Sequence, residues 1–510
     1  MRFTKLDWLA AISAALVALA GIYAQGAPRY GGTLHVKLRA SSVSLDPHEW
    51  TPGSLSSAAS EKLASLVYDR LVTLDDYAKL QPALAAEWSH DSGNRSWQFK
   101  LRSSVRFSDG SLLTPADAVS SLQASLGKSF EVTAVENGVA IRAARSTPDL
   151  LEQLASGRNF IFRRRPDGSL LGTGPFFLTE SVAPAPAEAN PSAIKPAKIR
   201  FQANEGAWSG RPFVDFVEVT LGEPPLRQLL DLQVGKADIA EIAPDLVRKA
   251  RQEGLRIWSS APQTLVALRF DDALDAPASE QLREALWLAL DRDTMANVLL
   301  QKEAQPADSL LPQWLSGYAF LFESPMNLQR ARELRAAFPA GIPGANQPLR
   351  LRVDAPGDLF KLMGERVAVN ARQANLLVQV ALPMSANSSP APAVGLHLFA
   401  WHYDSLSPRA GLEAFVKQML DGTDLPANTA DPEQLFVQER RLLEERRVLP
   451  LVLLPEYAGV RANVHNWNAS PWGDWRLADV WLDSEDPMTT KAPAGPQKNS
   501  STARNPGARP

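Results

Sequence analysis

Residues 97–110 read WQFKLRSSVRFSDG and residues 113–119 read LTPADAV. Trp97, Phe99 and Leu101 alternate with Gln98, Lys100 and Arg102, the period of a half-buried strand. Asp109-Gly110 marks a turn, Thr114 is placed to cap a helix, and Pro115 fits its first position, so a helix is predicted to run to about Leu126. The same strand-then-helix unit recurs outward from this stretch. Thr33–Arg39 alternates as a strand, and Ser56–Leu71 carries Leu63, Leu66, Val67 and Leu71 at helical spacing. Downstream, strand Phe213–Leu221 precedes helix Glu223–Val234, which Gly235 ends in the manner of a left-handed cap. Strand Thr264–Phe270 precedes Ser279–Leu300, read as one long helix with Leu282, Ala285, Leu286, Ala289 and Leu290 on one face. Strands Leu349–Val353, Leu376–Leu382, Leu396–Tyr403 and Leu449–Leu454 follow, interleaved with helices Leu359–Gln373, Ala414–Leu420 and Leu435–Arg447. Such alternation predicts an α/β protein with largely parallel sheets.

The chain has 510 residues, 53 Lys+Arg against 56 Asp+Glu, and a formal net charge of −3, so bulk charge offers nothing to a nucleic acid. Its length allows two to four domains. There is no cysteine, which excludes disulfides, thiolate zinc and a cysteine nucleophile. At the N-terminus, Arg2 and Lys5 precede 16 uncharged residues, Trp8–Tyr23, and then the small-residue stretch Ala24-Gln25-Gly26-Ala27. That is the pattern of a secretory signal, with a retained membrane anchor as the alternative; either places the body of the protein outside the cytoplasm. From Asp486 onward the Pro-, Ala- and Ser-rich chain reads as a disordered tail. Val182–Lys198 reads as a surface insertion or linker, and Met384–Ala393 as an exposed loop.

Motifs for covalent chemistry are missing. No HExxH and no Gly-x-Ser-x-Gly occurs. Gly127-Lys128-Ser129 has Leu122 where a phosphate-binding loop needs Gly, and it follows a predicted helix. His397 and His402 lie five apart on a predicted strand, hence on opposite faces and unsuited to share a metal. Arg163-Arg164-Arg165 reads as a solvated turn. The expectation is a protein that is not an enzyme and carries no cofactor and no protein-bound metal.

An ordered set of segments instead resembles the extracytoplasmic solute-binding proteins of ABC importers for peptides and nickel, the oligopeptide- and dipeptide-binding type. They are Tyr30–Leu34, Ser44–His48, Leu66–Val72, Leu80–Ala85, Trp97–Gly110 with Leu113–Val119, Gly172–Phe176, Gly210–Asp215, Gly235–Ile239, and Leu282–Ala285 with Asp291-Arg292. The resemblance implies an α/β type II periplasmic-binding-protein fold: two hinged lobes with an inserted extra domain. Lobe I would comprise 28–44, 173–262 and 470–485, the extra domain 45–172 and lobe II 263–469, with 1–27 the signal or anchor and 486–510 the tail. It further implies capture of a small solute, an oligopeptide, by a monomeric periplasmic protein and its delivery to ABC permease subunits in the inner membrane. A nickel or metal-chelate binder, with His402 and His48 approaching each other in the cleft, is the alternative within the class. A tethered, non-transporting sensor or scaffold with a degenerate cleft is the alternative outside it.

The resemblance also implies site residues. Trp401-His402-Tyr403-Asp404 matches the family's Trp-x-x-Asp, in which the Asp pairs with the peptide's α-ammonium and the Trp forms a wall. Asp404, Trp401, Tyr403 and His402 are therefore candidate ligand contacts, together with Trp50, Thr51 and Ser54 of the loop Trp50–Ser54. The match departs from the family at Asp404-Ser405-Leu406-Ser407-Pro408, which lacks a second Asp, and in a short connection from Asp404 to the helix at Leu435.

Overall fold

The computed structural model describes residues 28–483 except 188–189, 272–273, 275–278, 319–321, 324, 339–345, 382–394, 421–424 and 426–430. The readings of residues 1–27, of Met384–Ala393 and of the tail from Asp486 lie outside the described residues.

Three principal sheets organise the chain. The first has seven strands in the order Phe176–Val182, Ala197–Ala203, Phe216–Leu221, Thr33–Leu38, Ile239–Glu241, Tyr457–Val460 and Arg256–Ser259. The second has six, in the order Gln305–Pro306, Val448–Leu454, Thr264–Phe270, Leu396–His402, Leu349–Val353 and Val378–Val380. The third is a four-stranded unit, Ala85–His90, Ser96–Leu101, Gly138–Ala143 and Phe130–Val135, inserted between strands of the first. Helix Leu55–Val67 leads into it.

The quoted stretch folds as its pattern predicts. Trp97 and Phe99 are buried in the core of the four-stranded unit, while Gln98 and Lys100 face outward. The helix Pro115–Leu126 opens with Asp117 accepting from Thr114 N at 2.9 Å, so the side chain satisfies a backbone donor at the helix start. In the six-stranded sheet, all of Val448–Leu454 and all but Arg269 of Thr264–Phe270 are buried, because apolar clusters cover both faces.

Three readings are corrected. The sheets are mixed rather than largely parallel: Thr33–Leu38 runs parallel to two neighbours, and Leu349–Val353 does likewise, but the other pairs are antiparallel. Alternation of elements does not determine which strands become neighbours, and only those joined by covering helices need be parallel. Ser279–Leu300 is not one helix. Glu280–Ala289 stops at an extended Leu290, and the Asp291 side chain accepts from Thr294 N to open a new turn that continues as a π-helix, Met295–Leu299. The apolar period persists across the break, so periodicity alone does not reveal it, whereas the Asp side chain competes locally for the backbone. Val182–Lys198, read as a surface insertion or linker, includes a hairpin of Ala185–Ala187 against Asn190–Lys195. Finally, the triple arginine is not a solvated turn: Arg163–Arg164 pairs as a short strand with Leu170–Leu171, and Arg163, Arg164 and Arg165 are paired to Asp117, Asp46 and Asp109.

Two short crossings join the seven- and six-stranded sheets, one from Ser259 to Thr264 and one from Leu454 to Tyr457. They brace one another: Ser260 N donates to Glu456 O, and Glu456 N to Ser260 Oγ, each at 2.9 Å. Two adjacent crossings, with no third among the described residues, are the arrangement of a hinge.

Candidate functional site

Three of the candidate residues, His402, Tyr403 and Asp404, line the crevice beside these crossings, whereas Trp401, Trp50, Thr51 and Ser54 stand outside its lining. Strand Leu396–His402 ends there, and Asp404 follows on the loop beyond it. Helix Leu55–Val67 supplies Glu61 and Lys62 from the opposite wall, the crossings supply Gln263 and Glu456, and the loop near the C-terminus supplies Trp472 and Asp474. The space between them is about 40 Å³. That admits a few water molecules at roughly 10–15 Å³ each and is far below the ~300–1,000 Å³ of ligand pockets. The walls are in contact, so a solute reaches this crevice only when the lobes swing apart.

The loop Trp50–Ser54 and the Trp401–Asp404 segment, 350 residues apart, meet directly. His402 N donates to Gly53 O at 2.8 Å, and a Cβ on Gly53 would stand 2.1 Å from Cε3 of Trp401. Trp50 is buried, its Nε1 donating to Ser44 O at 2.9 Å, and Arg158 Nη2 donates to Trp50 O. Ser54 caps the helix by accepting from Ser56 N, and Thr51 N donates to Ser57 Oγ. Trp401 is buried edge-on to Phe415, with ring centres 5.2 Å apart. The Tyr403 hydroxyl donates to Leu310 O at 2.6 Å within the same core. His402 is buried beside Thr264 and lines the crevice, whereas His48 does not line it. Further along, Ser407 Oγ donates to Asp149 and Leu406 packs on the core of the four-stranded unit, so that unit forms part of the opposing jaw.

The charges are unevenly matched. Lys62 Nζ bridges Glu241 at 2.9 Å and Glu456 at 2.7 Å. Burial pushes its pKa down, but the two carboxylates outweigh that and hold it above the ordinary lysine value. Arg70 lies 2.7 Å from Glu61 and 3.8 Å from Asp474, so one guanidinium serves two carboxylates. Among the described residues, no cation sits at contact distance from the Asp404 carboxylate. Burial raises its pKa, with Arg158 and His402 opposing from farther off. His402 itself is lowered by burial. Glu61 is pushed up to about 8 by burial, against Arg70 and with help from Asp474 and Asp404.

Because Glu61 is raised above its ordinary value of 4.5, the folded protein holds a proton that the unfolded chain has released. The stability this contributes is complete below about 4.5 and lost as pH rises through about 8. Denaturant titrations of the protein alone should therefore show stability falling across that window, with Glu61 contributing at most about 1.4 kcal/mol per pH unit. Glu61→Gln should flatten the slope. Glu439, pushed up to about 7 by burial in the six-stranded lobe, keeps its own share of it. An unchanged slope in Glu61→Gln contradicts the assignment.

Sequence reasoning finds Asp404 but not Glu61, Lys62, Gln263, Glu456, Trp472 or Asp474. Their only sequence signal is a Glu-Lys pair inside the helix read as amphipathic, since their partners lie hundreds of residues away.

Residues 79–419 match the family described as bacterial extracellular solute-binding proteins, family 5 Middle. The nickel-binding periplasmic protein of Escherichia coli (strain K12) is 26% identical over 370 residues, covering 64% of this chain and 67% of that protein. The peptide transport periplasmic protein SapA of Salmonella typhimurium is 23% identical over 504 residues, covering 82% of this chain and 87% of its own. Among solved structures, the dipeptide-binding protein of Pseudoalteromonas sp. SM9913 in complex with Met-Leu superposes with a TM-score of 0.70 at 15% identity, covering 89% of this chain and all of that one. The hinged, mixed α/β architecture is thus the type II periplasmic-binding-protein fold. With two thirds of its length inside the family match and the same fold throughout, the chain belongs to the bacterial extracellular solute-binding proteins of family 5.

Proposed function

We propose that this solute-binding protein captures a peptide with a free N-terminus and presents it to the permease of an ABC importer, acting as a monomer outside the cytoplasm. Asp404 carries the reading: a half-buried carboxylate in a crevice between hinged lobes, its pKa raised by desolvation, with no cation in contact among the described residues. An α-ammonium supplies what that carboxylate lacks, because a buried charge is costly alone and tolerable when paired. Trp401 and Tyr403 then act as the rigid support behind Asp404, Trp50, Thr51 and Ser54 hold the facing loop, and His402 stays neutral between them. The division into lobe I, an inserted extra domain and lobe II belongs to this reading, with lobe II ending at the second crossing, since Tyr457–Val460 pairs within the seven-stranded sheet of lobe I. The similarity to SapA, named for peptide transport, supports it.

The similarity to a nickel-binding protein favours a metal chelate as the second reading. Against it, His48 packs on Phe162 with ring centres 5.0 Å apart, and Thr264 engages His402.

Thermal-shift and calorimetric titrations with a dipeptide mixture and its N-acetylated counterpart test the proposal. Free-amine peptides should stabilise the protein, acetylated ones should not, and nickel chelates should leave it unmoved. Equal response to both peptide sets, or response to the chelate alone, overturns it.

A further inference from the structure

Asp404 accounts for a ligand's charge but not for two neutral groups in the same crevice. Gln263, 1% exposed, ends the first hinge crossing, and its Nε2 donates to Pro471 O at 3.2 Å. That bond fixes the orientation of the amide, because only the NH₂ group can face a carbonyl, and so it turns Oε1 toward the crevice. Among the described residues nothing donates to this oxygen. The indole Nε1 of Trp472, lining the same crevice, likewise has no acceptor among the described residues. Between the two lies Gly473, held at φ +87°, where a Cβ would stand 3.3 Å from Gln263 Oε1 and 3.0 Å from Glu456 Oε2. The missing side chain keeps the approach to both oxygens open.

An unmatched buried acceptor and an unmatched buried donor lining one crevice are complementary to one residue of an extended peptide, whose own N–H and carbonyl oxygen point to the same side. We infer that Gln263 and Trp472 read the backbone of the ligand's second residue, Gln263 Oε1 accepting the N–H of the first peptide bond and Trp472 Nε1–H donating to the second residue's own carbonyl or carboxylate oxygen. This rests on the peptide reading above and goes beyond it: the ligand's second residue is placed at the hinge, and recognition extends to a particular bond. Gln263 also anchors the crossing in the six-stranded sheet, since its N–H donates to Leu454 O and its carbonyl accepts from Tyr403 N, while its side chain reaches across to Pro471. Engaging this side chain therefore acts at the pivot.

The test is a double-substitution cycle in binding affinity. The ligand is a dipeptide that binds in the titrations above, and its partner is the depsipeptide in which an ester oxygen replaces the peptide N–H. Wild type should bind the ester about tenfold more weakly than the amide. Gln263→Met, which keeps length but removes the acceptor, should bind amide and ester within about twofold of each other. Trp472→Phe should weaken the amide about tenfold while leaving the amide-to-ester ratio as in wild type. Equal wild-type binding of the two forms overturns this inference and leaves the peptide reading standing, as does an undiminished ratio in Gln263→Met. Failure of every free-amine peptide to bind overturns both.

Discussion

Replacing Asp404 with alanine is expected to weaken the binding of free-amine peptides by about 10²–10³-fold while leaving the protein as stable as wild type or more so. The two halves of this expectation have opposite signs for one reason. Without a ligand, the carboxyl is half-buried with no cation in contact among the described residues, and that burial raises its pKa, so its presence costs folding free energy. With an ammonium opposite, the same burial strengthens the attraction, and removing one partner of such a pair costs about 3–5 kcal/mol. Asp404→Asn separates charge from shape. It keeps the volume and should lose almost as much affinity as alanine. Calorimetric titration gives the affinity, and denaturant unfolding gives the stability. Were Asp404 only a turn-capping residue, the outcome would reverse: lower stability and unchanged affinity.

Much of this architecture is legible along the chain, and the unread part has a common cause. Trp97–Leu101 and Thr114–Asp117 are readable because their determinants are local: an alternation of two and a cap three residues from its partner. Asp404 is readable only through resemblance, since nothing in its immediate neighbours demands a carboxylate. The break at Leu290 hides behind an uninterrupted apolar period. The rest of the crevice cannot be read locally at all. Lys62 meets Glu241 and Glu456, and Arg70 meets Asp474, because two hinge crossings and a returning loop carry them together. Strand direction is hidden in the same way, because the crossings reverse the chain without leaving a mark in the alternation of elements.

The hinge also explains how so narrow a crevice serves a peptide. In this structure the jaws touch through Gly53 against Trp401 and His402, Asp149 against Ser407 and Arg409, and Trp472 against Trp314. None belongs to the ladders of the three sheets, so opening leaves every sheet intact. A ligand that binds across the crevice closes the jaws by its differential affinity for the closed form.

Gly53→Ala is therefore expected to have a second large effect, a loss of about 100-fold in peptide affinity with each lobe still folded. The site tolerates no side chain. Gly53 has φ +73°, where a Cβ costs roughly 1–2 kcal/mol, and the added atom would lie 2.1–2.4 Å from three carbons of the Trp401 ring. That ring cannot retreat, because it is buried and braced by Phe415 and Tyr403. The loop must lift instead, breaking the bond from His402 N to Gly53 O and withdrawing the wall that faces Asp404. Two decades of affinity correspond to shifting the closed–open balance by about 2.7 kcal/mol, a size that one steric clash and one lost hydrogen bond together supply. Small-angle scattering should report a larger radius of gyration for the ligand-free variant, and saturating peptide should restore the wild-type value. Undiminished affinity at an unchanged radius would mean that the loop yields without opening the jaws, and that closure does not depend on this contact.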